Sequence, residues 1–326
     1  MQKNIIEENT RAHTPLITYN EPLHNKNWFR TGGAAKVYAE PKTAQEFADV
    51  LAYAQTHTQP IFVLGQGANI LISDDGFDGL VIRPQLKNIS ITDVDTTQVL
   101  LTVGAGTTME ELITHCLDNN IIGLEEFSGI PGTVGGSVYI NLHYYEFLLE
   151  QFLISARVIN KITGEITTVD RAWFNFGYDE SKLMSEEFFL VDATFALKKV
   201  TTIEAAYARG RSVEIIRHRV KRYPATHTCG SFFRNFHDHE VTFMSNNKKM
   251  IFVAYYLDKI GVKGQLAVGD AIVSYQHANM LVNRGNATSN DIITLARTMQ
   301  ELVQKEYGIA PQPECRLIGF KEYPLL

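Results

Sequence analysis

GLEEFSGIPGTVGGS, residues 123–137, sets Gly129, Gly132, Gly135 and Gly136 around Pro131. Glycine admits positive φ and lets a ligand approach the bare backbone, where successive N–H groups cradle phosphate oxygens. Two further glycine-rich segments lie upstream, LGQGANILISDDGFDG (64–79) and GAGTT (104–108). Each follows a short apolar run, IFVL (61–64) or VLLTV (99–103), that reads as a buried strand. Neither is a Rossmann fingerprint. Gly65-x-Gly67 has Ile70 where the third glycine belongs and no capped helix at once behind it, and Gly104-x-Gly106 has Met109. Together the three segments point to a diphosphate-bearing cofactor held by loops rather than by one helix N-terminus.

Strands and helices alternate around these loops. AKVYAE (35–40) reads as a strand, and Ala44, Phe47, Val50, Leu51 and Ala54 recur at helical spacing behind a Thr43/Glu46 capping box. ILI (70–72) and LVIR (80–83) are short strands. Met109, Leu112, Ile113, Cys116 and Leu117 share a helical face behind Thr108 and Glu111, a second capping box. From 156 to 199 the chain is strand-rich, and Val191, Ala193, Phe195 and Leu197 are expected on one face of a half-buried strand. Residues 201–223 then carry Arg209, Arg211, Arg217, His218, Arg219, Lys221 and Arg222, either a solvated helix face or a wall toward an anionic ligand. FVAYYLDKIGV (252–262) and a helix capped by Ser289 and stopped at Gly308 complete the chain. The fold class is therefore α/β (α+β). The expected division is a leader over 1–25 and two domains, over 26–199 and 200–326.

Composition narrows the function. The 326 residues are about twice a typical domain length. Thirty Lys and Arg against 36 Asp and Glu argue against nucleic acid as a partner. No apolar run approaches the ~20 residues that cross a bilayer, and the polar N-terminus lacks the core of a secretion signal, so a cytoplasmic monomer is expected. Cys116, Cys229 and Cys315, without a CxxC pair, form no disulfide framework or zinc site. His237 and His239 read as a surface loop, with no third metal ligand at a recognisable spacing.

Five collinear segments carry a resemblance: LGQGANILISDDGFDG, GIPGTVGGSVYIN, GSFFRN (230–235), HANMLVNRGNAT (277–288) and PECRLIG (313–319). In this order, from about Trp28 to Gly319, the chain resembles the UDP-N-acetylenolpyruvoylglucosamine reductase (MurB) family. The resemblance implies an FAD domain of the vanillyl-alcohol-oxidase/PCMH type over 26–199 and a substrate domain over 200–326, of the branch lacking an extra tyrosine-bearing loop, with the segment near 311–319 returning to the active site. It assigns Gly65, Gly67, Ala68, Asn69 and Ile70 to the pyrophosphate loop. Ser128, Gly129, Pro131, Gly132, Thr133, Gly135 and Gly136 fall in the second flavin segment, and Val191 joins them.

What the resemblance further implies is a reaction in which NADPH reduces FAD and hydride then passes to the methylene carbon of an enol ether on a UDP-sugar. Negative charge builds on the neighbouring carbon and its carboxylate, so the protein must stabilise an enolate and deliver a proton. Ser231 matches the proton donor and Glu314 the acid that polarises the enolpyruvyl group. Arg234, Asn235, His277, Asn279 and Arg316 are the candidate substrate contacts. Two departures stand out. Where the family has Gly-Tyr-Arg-x-Ser, this chain reads Gly177-Tyr178-Asp179-Glu180-Ser181-Lys182, and NLHYYEFLLE (141–150) replaces a stretch of small residues. Either another cation substitutes, Lys182 being nearest in sequence, or the local alignment is shifted, or the protein is an impaired homologue. The competing functions are an FAD oxidase of a small alcohol or sugar and a non-catalytic homologue.

Overall fold

The computed structural model describes residues 17–245 and 247–326. Its first elements are β1 (Ile17–Pro22), β2 (Ala34–Ala39), α1 (Ala44–Thr56), β3 (Ile61–Val63), β4 (Ile70–Ile72) and β5 (Phe77–Ile82). A four-stranded sheet runs β1-β2-β5-β3, parallel except for β1, and α1 supplies the crossover that parallel strands require. Part of the expected leader is thus strand β1; residues 1–16 lie outside the described residues. At α1 the Thr43 hydroxyl accepts from the Glu46 N–H, but the Glu46 carboxylate takes the N–H of Lys42 instead of closing the box.

The next elements are β6 (Ile89–Asp93), β7 (Gln98–Gly104), α2 (Met109–Asp118), β8 (Ile121–Ile122), α3 (Val134–Tyr139), β9 (His143–Tyr144), β10 (Phe147–Leu148), β11 (Leu153–Asn160), β12 (Ile166–Asp170) and β13 (Phe188–Lys199), six of whose strands form a second, antiparallel sheet. The strand order is β12-β11-β13-β7-β6, with β8 also on β13 and the β9–β10 hairpin separate. Leu101, Val103, Met109, Leu112, Ala193 and Phe195 form its core. The alternation expected along β13 fails at one residue. Arg157 pairs with Asp192 but Val158 with Leu190, so Val191 is bulged and packs with Val50 and Leu51 against α1. That bulge lets one strand serve two cores.

The basic stretch is one helix, α4 (Thr202–Arg222), with a complete Thr201/Glu204 capping box. It packs backward: Ala208 lies in the second sheet's core, Arg209 holds Asp118, and Arg211 holds Glu126 in a fork. The break expected at 199/200 therefore falls ahead of a helix belonging to the N-terminal half's packing.

The remainder comprises β14 (Met244–Ser245), β15 (Lys248–Lys249), α5 (Val253–Lys259), β16 (Ala267–Val268), β17 (Ala271–Val273), β18 (Leu281–Asn283), α6 (Ser289–Tyr307) and β19 (Arg316–Ile318). The cap of α6 is Thr288, boxed with Asp291, rather than Ser289. Ser289 instead accepts the Asp74 N–H at 2.9 Å, while the Asp74 carboxylate accepts from the Ser289 and Asn290 N–H groups at 2.9 and 3.2 Å. A carboxylate at the positive end of a helix is favourable, and it ties α6 to the 64–79 segment. The last strand completes the join: β19 runs parallel to β4, Arg316 opposite Ile70 and Ile318 opposite Ile72. Leu71 and Phe29 consequently lie in the C-terminal core with Phe232 and Tyr256. Among the described residues no helix is long and apolar enough to cross a membrane.

Candidate active site

The glycine loops of the first half touch one another. A Cβ on Gly65 would sit 2.6 Å from the Thr133 hydroxyl, so only a hydrogen there lets the two segments meet. Gly67 has φ +66° and its Cβ would lie 2.7 Å from Asn27, while its carbonyl accepts from Trp28 N–H at 3.0 Å. The 104–109 segment pins the other loop: Met109 N–H donates to the Gly132 carbonyl, Val134 N–H to Thr107 and Gly135 N–H to Ala105. Thr133 accepts the Gly136 N–H, and Ser128 is buried against Ser212 of α4 at 2.8 Å. Ala68 is half-buried and Ile70 starts β4, whereas Gly129 and Gly136 remain exposed. Half-buried Pro131 lies between them, and Val191 offers the carbonyl that accepts from Ala105.

Buried polar atoms identify what this cradle lacks. The Asn69 Oδ1 and Thr107 Oγ1, one in each loop system, are buried without a partner among the described residues, as are Asn27 Oδ1 and Thr31 Oγ1. Such an atom costs about 1–3 kcal/mol, which a polar ligand offsets. Exposed glycine backbone beside orphaned oxygen atoms fits a large, polar, phosphate-bearing cofactor such as FAD.

Ser231 and Glu314 come together through backbone pairing. Ser231 bridges Met280, Phe233 bridges Pro313, and the Glu314 N–H donates to the Phe232 carbonyl at 2.9 Å. Two residues further on, Arg316 N–H donates to the Asn69 carbonyl of the cradle, which links the serine and glutamate to the first loop. The Glu314 carboxyl keeps some surface but is enclosed by enough protein that desolvation, aided by the charge of Asp179, pushes it up to about 8. It is a neutral acid near pH 7.

The turn Gly177–Glu180 delivers Asp179 to Glu314. Gly177 and Glu180 exchange both backbone hydrogen bonds, Asp179 takes φ +56°, and the Asn141 amide and the Ser181 hydroxyl fasten the turn to the end of α3. Across it lies His143, Nδ1 3.2 Å from Asp179 Oδ1, its ring centroid 4.6 Å from that of Tyr178. Lys182, the expected replacement cation, is exposed with its ammonium 4.5 Å from the Trp173 ring centroid.

Several expected substrate contacts have other partners. Arg234 forms a fork with Glu240 at 2.7 and 2.8 Å and pulls that carboxyl down to about 2. Arg316 bonds Glu186 at 2.7 Å and lies over Tyr139. Asn279 is buried and its amide clamps Phe233 on both backbone groups, at 2.7 and 3.1 Å, so it positions the Ser231 segment instead of facing a ligand. Asn235 accepts the Val253 N–H and lies against the Tyr178 phenol. Burial, with Arg222 and Lys263 nearby, holds His277 down at about 4, hence neutral, beside Tyr223. His237 and His239 stack on each other in an exposed loop.

Residue-by-residue reading missed His143, since it had no partner in sequence, and did not single out Arg219 from the basic run. Arg219 donates to the Gly129 carbonyl at 3.2 Å and lies between Tyr144 and Tyr223, where burial lowers its affinity for the proton. Arg219 meets the backbone of the second glycine loop, while Arg211 of the same run forks with Glu126 just ahead of it. The bulky 144–145 pair was the available signal for Arg219.

Known proteins carry the same order of parts. Residues 35–170 match the family described as FAD binding domain, and residues 222–318 the family described as UDP-N-acetylenolpyruvoylglucosamine reductase, C-terminal domain. The chain is 34% identical over 292 residues to a UDP-N-acetylenolpyruvoylglucosamine reductase of Trichormus variabilis, covering 89% of this chain and 83% of that one. A protein of the same name from Lachnoclostridium phytofermentans is 29% identical over 99% of this chain and 97% of its own. The crystal structure of UDP-N-acetylenolpyruvylglucosamine reductase (MurB) from Thermus caldophilus superposes with a TM-score of 0.72 at 26% identity, covering 93% of this chain and 98% of that one.

Proposed function

The chain belongs to the UDP-N-acetylenolpyruvoylglucosamine reductase family, a family of flavin-dependent oxidoreductases, and we propose that it converts UDP-N-acetyl-3-O-(1-carboxyvinyl)glucosamine to UDP-N-acetylmuramate for peptidoglycan precursors, with FAD as cofactor and NADPH as reductant. The observation that carries this reading is the hydrogen-bonded pairing of the Ser231 and Glu314 segments beside the glycine cradle. The loops around Gly65, Gly67, Asn69, Thr107 and Gly132 to Gly136 would hold the FAD, which would supply the hydride for the enolpyruvyl methylene.

The chain's own residues do the rest. Ser231 gives its hydroxyl proton to the carbon on which charge builds; the growing negative charge makes so weak an acid competent. Glu314, neutral near pH 7, donates a hydrogen bond to the enolate without adding like charge, where an ionised carboxylate would oppose it. Asn279 keeps the Ser231 strand in place through Phe233. Arg219 stands by the second loop as a cation toward phosphate.

The decisive measurement separates the half-reactions. Anaerobic NADPH should bleach the yellow protein, and the enolpyruvyl UDP-sugar should restore its colour. Recovery with oxygen alone would replace the reading by an oxidase. Bound flavin with neither step would favour a non-catalytic homologue, the reading that Asp179 in place of arginine supports.

A further inference from the structure

The substrate proposed above carries a carboxylate, and the face that meets it already holds two acids. Asp179 and Glu314 are near enough for the charge of one to suppress ionisation of the other. With Glu314 neutral, the substrate's carboxylate would be a second negative charge beside Asp179, tolerable only next to a compensating donor or cation. The basic side chains that sequence offered are otherwise engaged: Arg234 with Glu240, Arg316 with Glu186, Lys182 on the face of Trp173. His143 is different. Its Nδ1 lies 3.2 Å from Asp179 Oδ1, and about a quarter of each side chain remains accessible.

Three contacts orient it. Asp179 is held by the closed Gly177–Glu180 turn, Asn141 fastens that turn two residues before the histidine, and the Tyr178 ring packs against the imidazole. A carboxylate on one ring nitrogen fixes the orientation of the ring and leaves the other nitrogen to meet a ligand. The two oddities of the sequence, an acid where a cation belongs and a bulky stretch where small residues belong, are thus one contact.

Resting on the proposed function, we propose that His143, oriented by Asp179, binds the carboxylate of the substrate through its Nε2–H. Asp179 is then a positioning residue.

The test compares ligands with and without the carboxylate. Binding to the oxidised FAD-loaded protein is measured by calorimetry for UDP-N-acetylmuramate, the carboxylate-bearing product, and for UDP-N-acetylglucosamine, which lacks that group. His143→Ala should weaken the first roughly 10- to 100-fold, the worth of one charge-assisted hydrogen bond, and the second less than about 2-fold. Asp179→Asn should show the same selectivity at lower amplitude. The double variant His143→Ala/Asp179→Arg should recover carboxylate affinity, since the arginine supplies the cation directly. Equal weakening of both ligands, or no change in either, would overturn the role of His143. A wild-type protein that binds neither UDP-sugar and is not reoxidised by the enolpyruvyl substrate would sink the proposed function, and this inference with it. Flavin content and melting temperature identify a variant that has misfolded, and the Asp179→Asn ligand ratio then decides.

Discussion

The glycine cradle and the acid-lined face opposite it are built in different ways. The cradle is made of main chain: its shape depends on missing Cβ atoms at Gly65 and Gly67 and on carbonyls that accept from the 107–109 and 134–135 amides. The opposing face is made of side chains from four separate stretches, Ser231, Glu314, Asp179 and His143, whose chemistry depends on which of them touch. A backbone site tolerates little sequence change, because only glycine meets its steric demand. A side-chain site can exchange one charge for another, provided a neighbour changes too. The role proposed for His143 with Asp179 would be an instance of that exchange.

The largest expected effect tests the side-chain face. Ser231→Ala should slow reoxidation by substrate by ~10²–10⁴-fold while flavin reduction by NADPH stays within about 2-fold. Equal loss in both half-reactions would move Ser231 to the cradle's side of the comparison. Next comes Glu314, whose effect depends on pH. The folded carboxyl keeps its proton to about 8, against 4.5 for the ordinary group. Over that window the folded state binds the extra proton, so stability falls as pH rises through it, by up to ~1.4 kcal/mol per pH unit. Urea midpoints from pH 5 to 8 should show that slope, and Glu314→Gln should flatten it. An unchanged slope would mean that the carboxyl is ionised and solvated.

Gly67→Ala probes the cradle itself. With φ +66° and Asn27 in the way, it should cost about 1–3 kcal/mol and lower FAD content, read by flavin absorbance and thermal melting. If FAD content and melting are unchanged, the loop is not as tightly specified as its geometry indicates. The smallest effect belongs to Lys182→Ala. An exposed cation over one aromatic ring is worth about 0.5–1 kcal/mol, so turnover should stay within about 2-fold of wild type. A large loss of turnover would bring Lys182 back to the acid-lined face.

Local rules carried the sequence reading a long way, and its errors share a cause. The Thr108/Glu111 box, the faces of α1 and α2, and the Gly308 stop depend on residues within one turn of each other, and they appear as expected. Thr43 capped α1, but its glutamate chose Lys42; Ser289 turned from cap to tether because Asp74, 215 positions away, reached the helix end. Val191 left its strand face at a bulge that only pairing with β11 reveals. Arg234 was read as free because Glu240 becomes its partner only in the folded loop.

By itself the sequence determined the alternation of strands and helices, the three glycine loops and the presence of Ser231 and Glu314, because each depends on residue type or on spacing within a few positions. Tertiary structure alone decided that the returning segment is strand β19 paired in parallel with β4, that Asp179 raises Glu314's hold on its proton, and that His143 meets Asp179. Charge interactions of this kind act over a few ångströms, and proximity between residues 143, 179 and 314 is a property of the folded chain alone.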